Sequence, residues 1–171
     1  MTTPLKDIPI FSRLDAEERA ELEEILEPVS FSAGETIFEE GGPEDYLYVV
    51  CSGIVEVHKK VLPGHRHVLA TVSAPTVVGE MGLLTEPRAA ATVTARTNIE
   101  AHGINRDRFL EMLDGDSLAA CKVVYEIGRT LSERMAKTDE SIAHIIARIE
   151  RADTSHDLDV FQDTLLNEWS F

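Results

Sequence analysis

Between Val77 and Val93 the chain reads Val-Val-Gly-Glu-Met-Gly-Leu-Leu-Thr-Glu-Pro-Arg-Ala-Ala-Ala-Thr-Val, and these residue types at this spacing suit one chemistry. Gly79 lets backbone come close to a ligand. Residues 80–84 are expected to start a single helical turn, whose free N–H groups and dipole favour an anion. Glu80 stands at that start, where its carboxylate can accept a hydrogen bond from a sugar hydroxyl. Arg88 supplies a guanidinium able to pair with a phosphate. A Gly-Glu start, an apolar turn and an arginine ahead of a strand suit a ribose-phosphate. A tight loop carrying a surface arginine would use the same residues, so the motif alone leaves both readings open.

Other chemistry-bearing residues are sparse. His65 and His67 flank Arg66 at an expected hairpin tip, but no carboxylate or Cys lies within a few residues to complete a metal site. A solvated hairpin is expected there, and no metal. His102 and His144 read as ordinary strand and helix residues. Cys51 and Cys121 each follow apolar neighbours and read as two buried thiols rather than a disulfide or metal pair. No Ser, Cys or Lys has a base beside it in sequence, so no enzyme is expected.

The elements that must position the motif fall into three kinds of segment. Residues 1–27 read helical, with Asp15 as cap, Glu18 at the capping-box position and an apolar stripe of Ala20, Leu22, Ile25 and Leu26 on an otherwise solvated, glutamate-rich helix. Pro28 is expected to stop it. From Val29 to about Ile104 short strands alternate with turns at Ser32–Glu35, Gly41–Pro43, Ser52-Gly53 and Leu62–Gly64. Six to eight strands at this spacing predict an antiparallel sandwich or barrel, and the lack of βαβ alternation excludes a Rossmann-type fold. A short helix follows over Arg106–Leu113. A long one then spans Ser117 to Ile149, about 50 Å at 1.5 Å per residue. Within it Val124, Leu131, Thr138 and Ile145 recur every seven residues, as do Met135, Ile142 and Ile149, with Gly128 on the second series. Two interleaved heptad series predict a parallel homodimer through residues 117–150. In the acidic tail, residues 153–171, an amphipathic helix is expected from about Asp157 to Trp169, presenting Leu158, Phe161, Leu165 and Trp169 to an apolar surface, either the partner subunit's long helix or a separate protein.

Charge narrows the partners. With 31 acidic and 16 basic residues among 171, the net charge is −15, which repels phosphate backbones and anionic lipid. Residues 1–50 carry 13 acids and 3 bases, residues 111–171 carry 13 and 6, but residues 51–110 carry 5 and 7. An anion would therefore bind in the middle third. No basic stretch suited to a major groove follows the long helix, so no nucleic acid is expected as partner. No secretory signal and no apolar run near 18–20 residues is visible, so a cytoplasmic protein without membrane attachment is expected.

The chain resembles the cyclic nucleotide-binding domain family, of the catabolite activator protein and protein kinase A regulatory subunit type, over roughly residues 5–150. The resemblance rests on Ile8–Leu14, Ala33-Gly34-Glu35, Tyr48–Val57 and above all Val78-Gly79-Glu80 through Pro87-Arg88-Ala89-Ala90-Ala91-Thr92-Val93. It implies a mainly β fold: an eight-stranded jelly-roll-like β-barrel with N-terminal helices over 1–116, a long capping and dimerisation helix over 117–150, and a tail over 151–171. It implies a regulatory module binding cAMP or cGMP through Gly79, Glu80, Met81, Arg88, Ala89 and Ala90. Glu80 would take the ribose 2′-hydroxyl and Arg88 the phosphate, and the last helix, near Val123 to Leu131, would close over the base. The family usually places its arginine three residues before the Thr or Ser that opens the next strand. Here that position is Ala89, and Arg88 precedes it. Either the loop is shortened before Arg88 and padded after it, or the phosphate-pairing position is alanine. The second case corresponds to a ligand-free fold acting as a dimeric scaffold.

Overall fold

A computed structural model describes residues 7–62, 65–85 and 87–151. The expected tail helix over Asp157–Trp169 and the turn at Pro63-Gly64 lie outside the described residues, as do the side chains of His65, Ile145 and Ile149. A 3-10 turn over Pro9–Phe11 leads to α1 (Ala16–Glu23). The predicted capping box is present: Asp15 accepts from the N–H groups of Glu17 and Glu18, and the Glu18 side chain accepts from the Asp15 N–H. The helix ends at Glu23, earlier than expected. Leu26 and Pro28 belong instead to β1 (Leu26–Phe31). Pro28 is tolerated there because β1 is an edge strand, where one missing N–H need not break a ladder.

Seven more strands follow: β2 (Thr36–Phe38), β3 (Tyr46–Ser52), β4 (Ile54–Leu62), β5 (His65–Ser73), β6 (Thr76–Val78), β7 (Thr92–Ala95) and β8 (Ile99–Asn105). They form two four-stranded antiparallel sheets in the orders β1-β8-β3-β6 and β2-β7-β4-β5. That strand order is a jelly roll, the architecture expected. Between β6 and β7 lies α2 (Glu80–Leu84), and after β8 come α3 (Arg106–Asp114) and α4 (Leu118–Arg151).

Period-two alternation on β3 gives the molecule two cores. Val50 faces the barrel interior with Val55, Val78, Val93, Ala95 and Ile99. Leu47, Val49 and Cys51 face the other way, against Phe11, Leu14, Leu22, Phe109, Val123 and Ile127 of the helices. β3 is thus the shared wall between barrel and helices. Glu18 departs from the solvated face expected of α1: it is buried and its carboxylate pairs with Lys122 on α4. Buried Glu126 is held similarly, by Arg129 at 2.9 Å and Arg13 at 3.5 Å.

α4 behaves differently along its length. Ala119, Ala120, Val123 and Ile127 are buried, and Val124 and Leu131, from the first heptad series, pack half-buried against the same core. Tyr125, Met135 and Ile142 are exposed, as is Leu118. The core between β3 and the helices therefore covers the start of the first series, and Met135 and Ile142 of the second stay exposed. Cys121 is exposed rather than buried, while Cys51 is buried, and no disulfide joins them. Among the described residues no helix is long and apolar enough to cross a membrane, and no group of three or more His, Cys, Asp or Glu could hold a metal.

Phe109 is fully buried where α3, α4 and β3 meet. Phe109→Ala is expected to lower the free energy of unfolding by about 3–5 kcal/mol, measured by urea denaturation. A loss below about 1 kcal/mol would show that the helices do not depend on this contact.

Candidate functional site

The chemistry-bearing segment folds as expected in outline. Gly79 caps α2 with φ +91°, a left-handed conformation in which its Cα approaches Tyr46 so closely that a Cβ would lie 2.4 Å from the Tyr46 carbonyl oxygen. Only glycine fits that conformation without strain. Glu80 is the first residue of α2 and its side chain is 12% exposed. The predicted helical turn over residues 80–84 is present. Met81 and Leu84 on it are exposed and Leu83 is buried.

Of the two neighbours Arg88 and Ala89, the alanine faces inward and the arginine outward. Ala89 is buried among the barrel core residues Phe38, Val50, Val78 and Val93. Arg88 is exposed, and its guanidinium donates to the Gly41 carbonyl at 3.2 Å. Backbone bonds lock that arrangement: Gly41 N–H to Ala89 O at 2.8 Å, Ala89 N–H to Gly42 O at 3.0 Å and Glu44 N–H to Pro87 O at 3.0 Å. Ala90 is exposed. The structure thus brings Gly79 and Glu80 together at the head of α2, and leaves Arg88 at the rim.

Three residues of the site were not singled out in the sequence. Arg134, one turn beyond the stretch of α4 expected over the ligand, donates to the Glu80 carboxylate at 2.6 Å. Arg106, at the start of α3, donates to the carbonyls of Gly82 at 3.0 Å and Thr85 at 3.2 Å, capping the far end of α2. Glu44 is buried beneath α2, with its side-chain carbons 2.7–2.9 Å from where a Cβ on Gly82 would sit. Gly82 is therefore required by Glu44. In sequence an acid after Gly-Gly-Pro reads as a solvated turn residue, and two arginines on helices read as surface charge.

Glu44 is electrostatically unusual. Burial, and after it the neighbouring Glu80 carboxylate, push its pKa up from 4.5 to about 7, against the opposite pull of the Gly82 N–H bonded to it. Its Oε2 is buried with no hydrogen-bond partner. A raised acid binds its proton more tightly when folded, so its ionisation costs stability. That cost is absent below pH 4.5, grows as pH rises through 7, and reaches on the order of 3 kcal/mol above it. Glu44→Gln keeps an acceptor for Gly82 without the charge. It is expected to raise the melting temperature at pH 8 and change it little at pH 4.5. Equal shifts at both pH values would show that Glu44 titrates as an ordinary carboxylate.

Comparisons with known proteins agree with this geometry. A family model described as "Cyclic nucleotide-binding domain" matches residues 28–116. The chain is 35% identical over 108 residues to the cAMP-dependent protein kinase regulatory subunit of Dictyostelium discoideum, covering 61% of this chain but only 33% of that one. It is similar to the crystal structure of the N-terminal domain of a transcriptional regulator from Streptomyces coelicolor A3(2), at TM-score 0.66 and 31% identity, covering 75% of this chain and 90% of the other. It is also similar to the regulatory subunit of a cAMP-independent protein kinase A from Trypanosoma brucei, at TM-score 0.65 and 26% identity, over 74% of this chain and 44% of that one. Jelly-roll topology, a left-handed glycine before a glutamate-led turn, and a matched model spanning both sheets converge on one assignment: the chain belongs to the cyclic nucleotide-binding domain family.

Proposed function

We propose that this chain is a regulatory module that binds cAMP or cGMP at the segment from Gly79 to Ala90 and passes the event to α4. The observation that carries the reading is the Glu80–Arg134 ion pair, which joins the carboxylate assigned here to the ribose directly to the long helix. A ligand engaging Glu80 therefore acts on a group that α4 already holds. Glu80 accepts the ribose hydroxyl, the backbone at Gly79, Met81, Ala89 and Ala90 lies against the nucleotide, and Arg88 reaches the phosphate from the rim. To do so Arg88 exchanges one exposed bond to a neutral backbone carbonyl for one to an anion, in which both partners are charged. The chain's net charge of −15 directs the output to a protein rather than to nucleic acid. In this reading the chain's role is binding and switching.

The module is a parallel homodimer through residues 117–150 in this reading. Tyr125, Met135 and Ile142 leave apolar surface in water along α4, and Gly128 has open space where a second helix can approach. Sedimentation at tens of micromolar is expected to give a dimer, and a monomer there refutes it.

A second reading is favoured by one observation, the inward-facing Ala89 with Arg88 turned out. It makes the fold a ligand-free scaffold working only through protein contacts. Isothermal titration with cAMP and cGMP separates the two. The first reading expects heat with at least one nucleotide, and Arg88→Ala weakening it roughly ten- to a hundredfold, about 1.4–2.7 kcal/mol. Silence and no thermal shift at millimolar nucleotide select the scaffold. Binding that Arg88→Ala leaves unchanged means the phosphate is held without Arg88.

A further inference from the structure

Glu80 and Arg134 are 54 positions apart and meet at 2.6 Å. By this point α4 has left the core. Ile127 is buried and Leu131 half-buried, but residues 132–137 are all exposed. The Arg134 side chain is 45% exposed, whereas the Glu80 side chain it covers is only 12% exposed. A half-exposed arginine is thus laid over a nearly enclosed carboxylate, and it ties the outer turns of the helix to α2.

We infer that Arg134 competes with the ligand for Glu80, so that the ligand's sugar hydroxyl, by displacing Arg134, is the trigger that frees the outer part of α4. This rests on the reading of Glu80 as the ribose acceptor. The Glu80 oxygen that Arg134 bonds is open to a hydroxyl only when the guanidinium gives it up. The cover is the group best able to move, because a half-exposed guanidinium recovers its hydration on leaving and exposed ion pairs hold weakly. The other anchors of α2 stay in place: Arg106 keeps the carbonyls of Gly82 and Thr85, and Glu44 stays packed under Gly82. The helical turn is held at one end and latched at the other. A ligand shifts an equilibrium only by its differential affinity for the two states. Here the difference between them is one contact, Arg134 on Glu80 or Arg134 in water. Reciprocity then requires that removing Arg134 tighten ligand binding by the factor with which ligand loosens α4.

The test has a ligand-free and a liganded arm. Amide hydrogen exchange over residues 132–144 of the ligand-free chain is expected to rise about three- to tenfold in Arg134→Gln and equally in Glu80→Gln, with the double variant no faster than either. Unchanged exchange in either single variant overturns the latch, whatever the chain binds. In titration with cAMP and cGMP, Arg134→Gln is expected to bind about three- to tenfold more tightly than the natural chain, and equal or weaker binding overturns the competition. With the natural chain, cAMP is expected to raise exchange over 132–144 and 2′-deoxy-cAMP to leave it unchanged. If the deoxy compound raises it equally, the hydroxyl is not the trigger. Heat from neither protein at millimolar nucleotide removes the cyclic-nucleotide reading and the competition with it, and the exchange arm then decides the tie between α2 and α4 alone.

Discussion

Everything distinctive in this molecule follows from the need to hold one five-residue helix in place. A helix of this length lacks the propagation to offset its own nucleation, so α2 exists only because its surroundings fix it. Four contacts do so, from four different parts of the chain. Gly79 turns the backbone into it from β6. Glu44, after the β2 strand, fills the space that the absent side chain of Gly82 leaves. Arg106 takes the last carbonyls, and Arg134 takes the first side chain. Barrel, α3 and α4 all touch α2, which makes it the place where a change in one is felt by the others.

The electrostatics sharpen this. A buried carboxylate beneath another carboxylate is an arrangement a stability-optimised core avoids, and Glu44 shows the strain in its raised pKa and its unpartnered oxygen. Arg134 places a positive charge on Glu80, the upper of the two acids. When Arg134 leaves, the Glu80 carboxylate needs another donor, and a hydroxyl supplies one without adding charge. Of the bases in the middle third of the chain, Arg106 caps α2 through its guanidinium. Arg66 and Arg96 bind Glu56 on the other side of the barrel, and Arg88 lies on the rim.

How much of this was legible in the chain follows a physical division. Alternation, turn glycines and the capping box are local signals, and they predicted an antiparallel region of six to eight strands, α1's start, α3 and α4, but not the short β2 and β6 individually. The end of α1 was misplaced because Pro28 reads as a stop in any helix, while only the sheet order reveals that it sits on an edge. Gly79 and Glu80 were legible because backbone conformation and helix start are encoded within a few residues. Glu44, Arg106 and Arg134 were not, since their partners lie between 21 and 54 positions away in the chain. Glu18 escaped for the same reason, its partner Lys122 being 104 positions distant.

Arg88 and Ala89 show why one residue of spacing matters so much. Neighbours along extended backbone face opposite sides, so a slip by one exchanges an inward alanine for an inward arginine. That slip is opposed here by three backbone hydrogen bonds, at Gly41, Ala89 and Glu44, each worth about 0.5–1.5 kcal/mol, and by the burial of Ala89. Together they match or exceed the about 1.5–3 kcal/mol that one charged hydrogen bond returns. Turning the side chain alone breaks a single 3.2 Å bond to the Gly41 carbonyl and leaves the backbone register intact. The route open to Arg88 toward a phosphate therefore runs over the rim beside Gly41, and the inner wall of the site stays apolar at Ala89. In the proposed function, a phosphate met from outside and a sugar met at Glu80 would divide recognition between a surface arginine and a carboxylate that α4 covers.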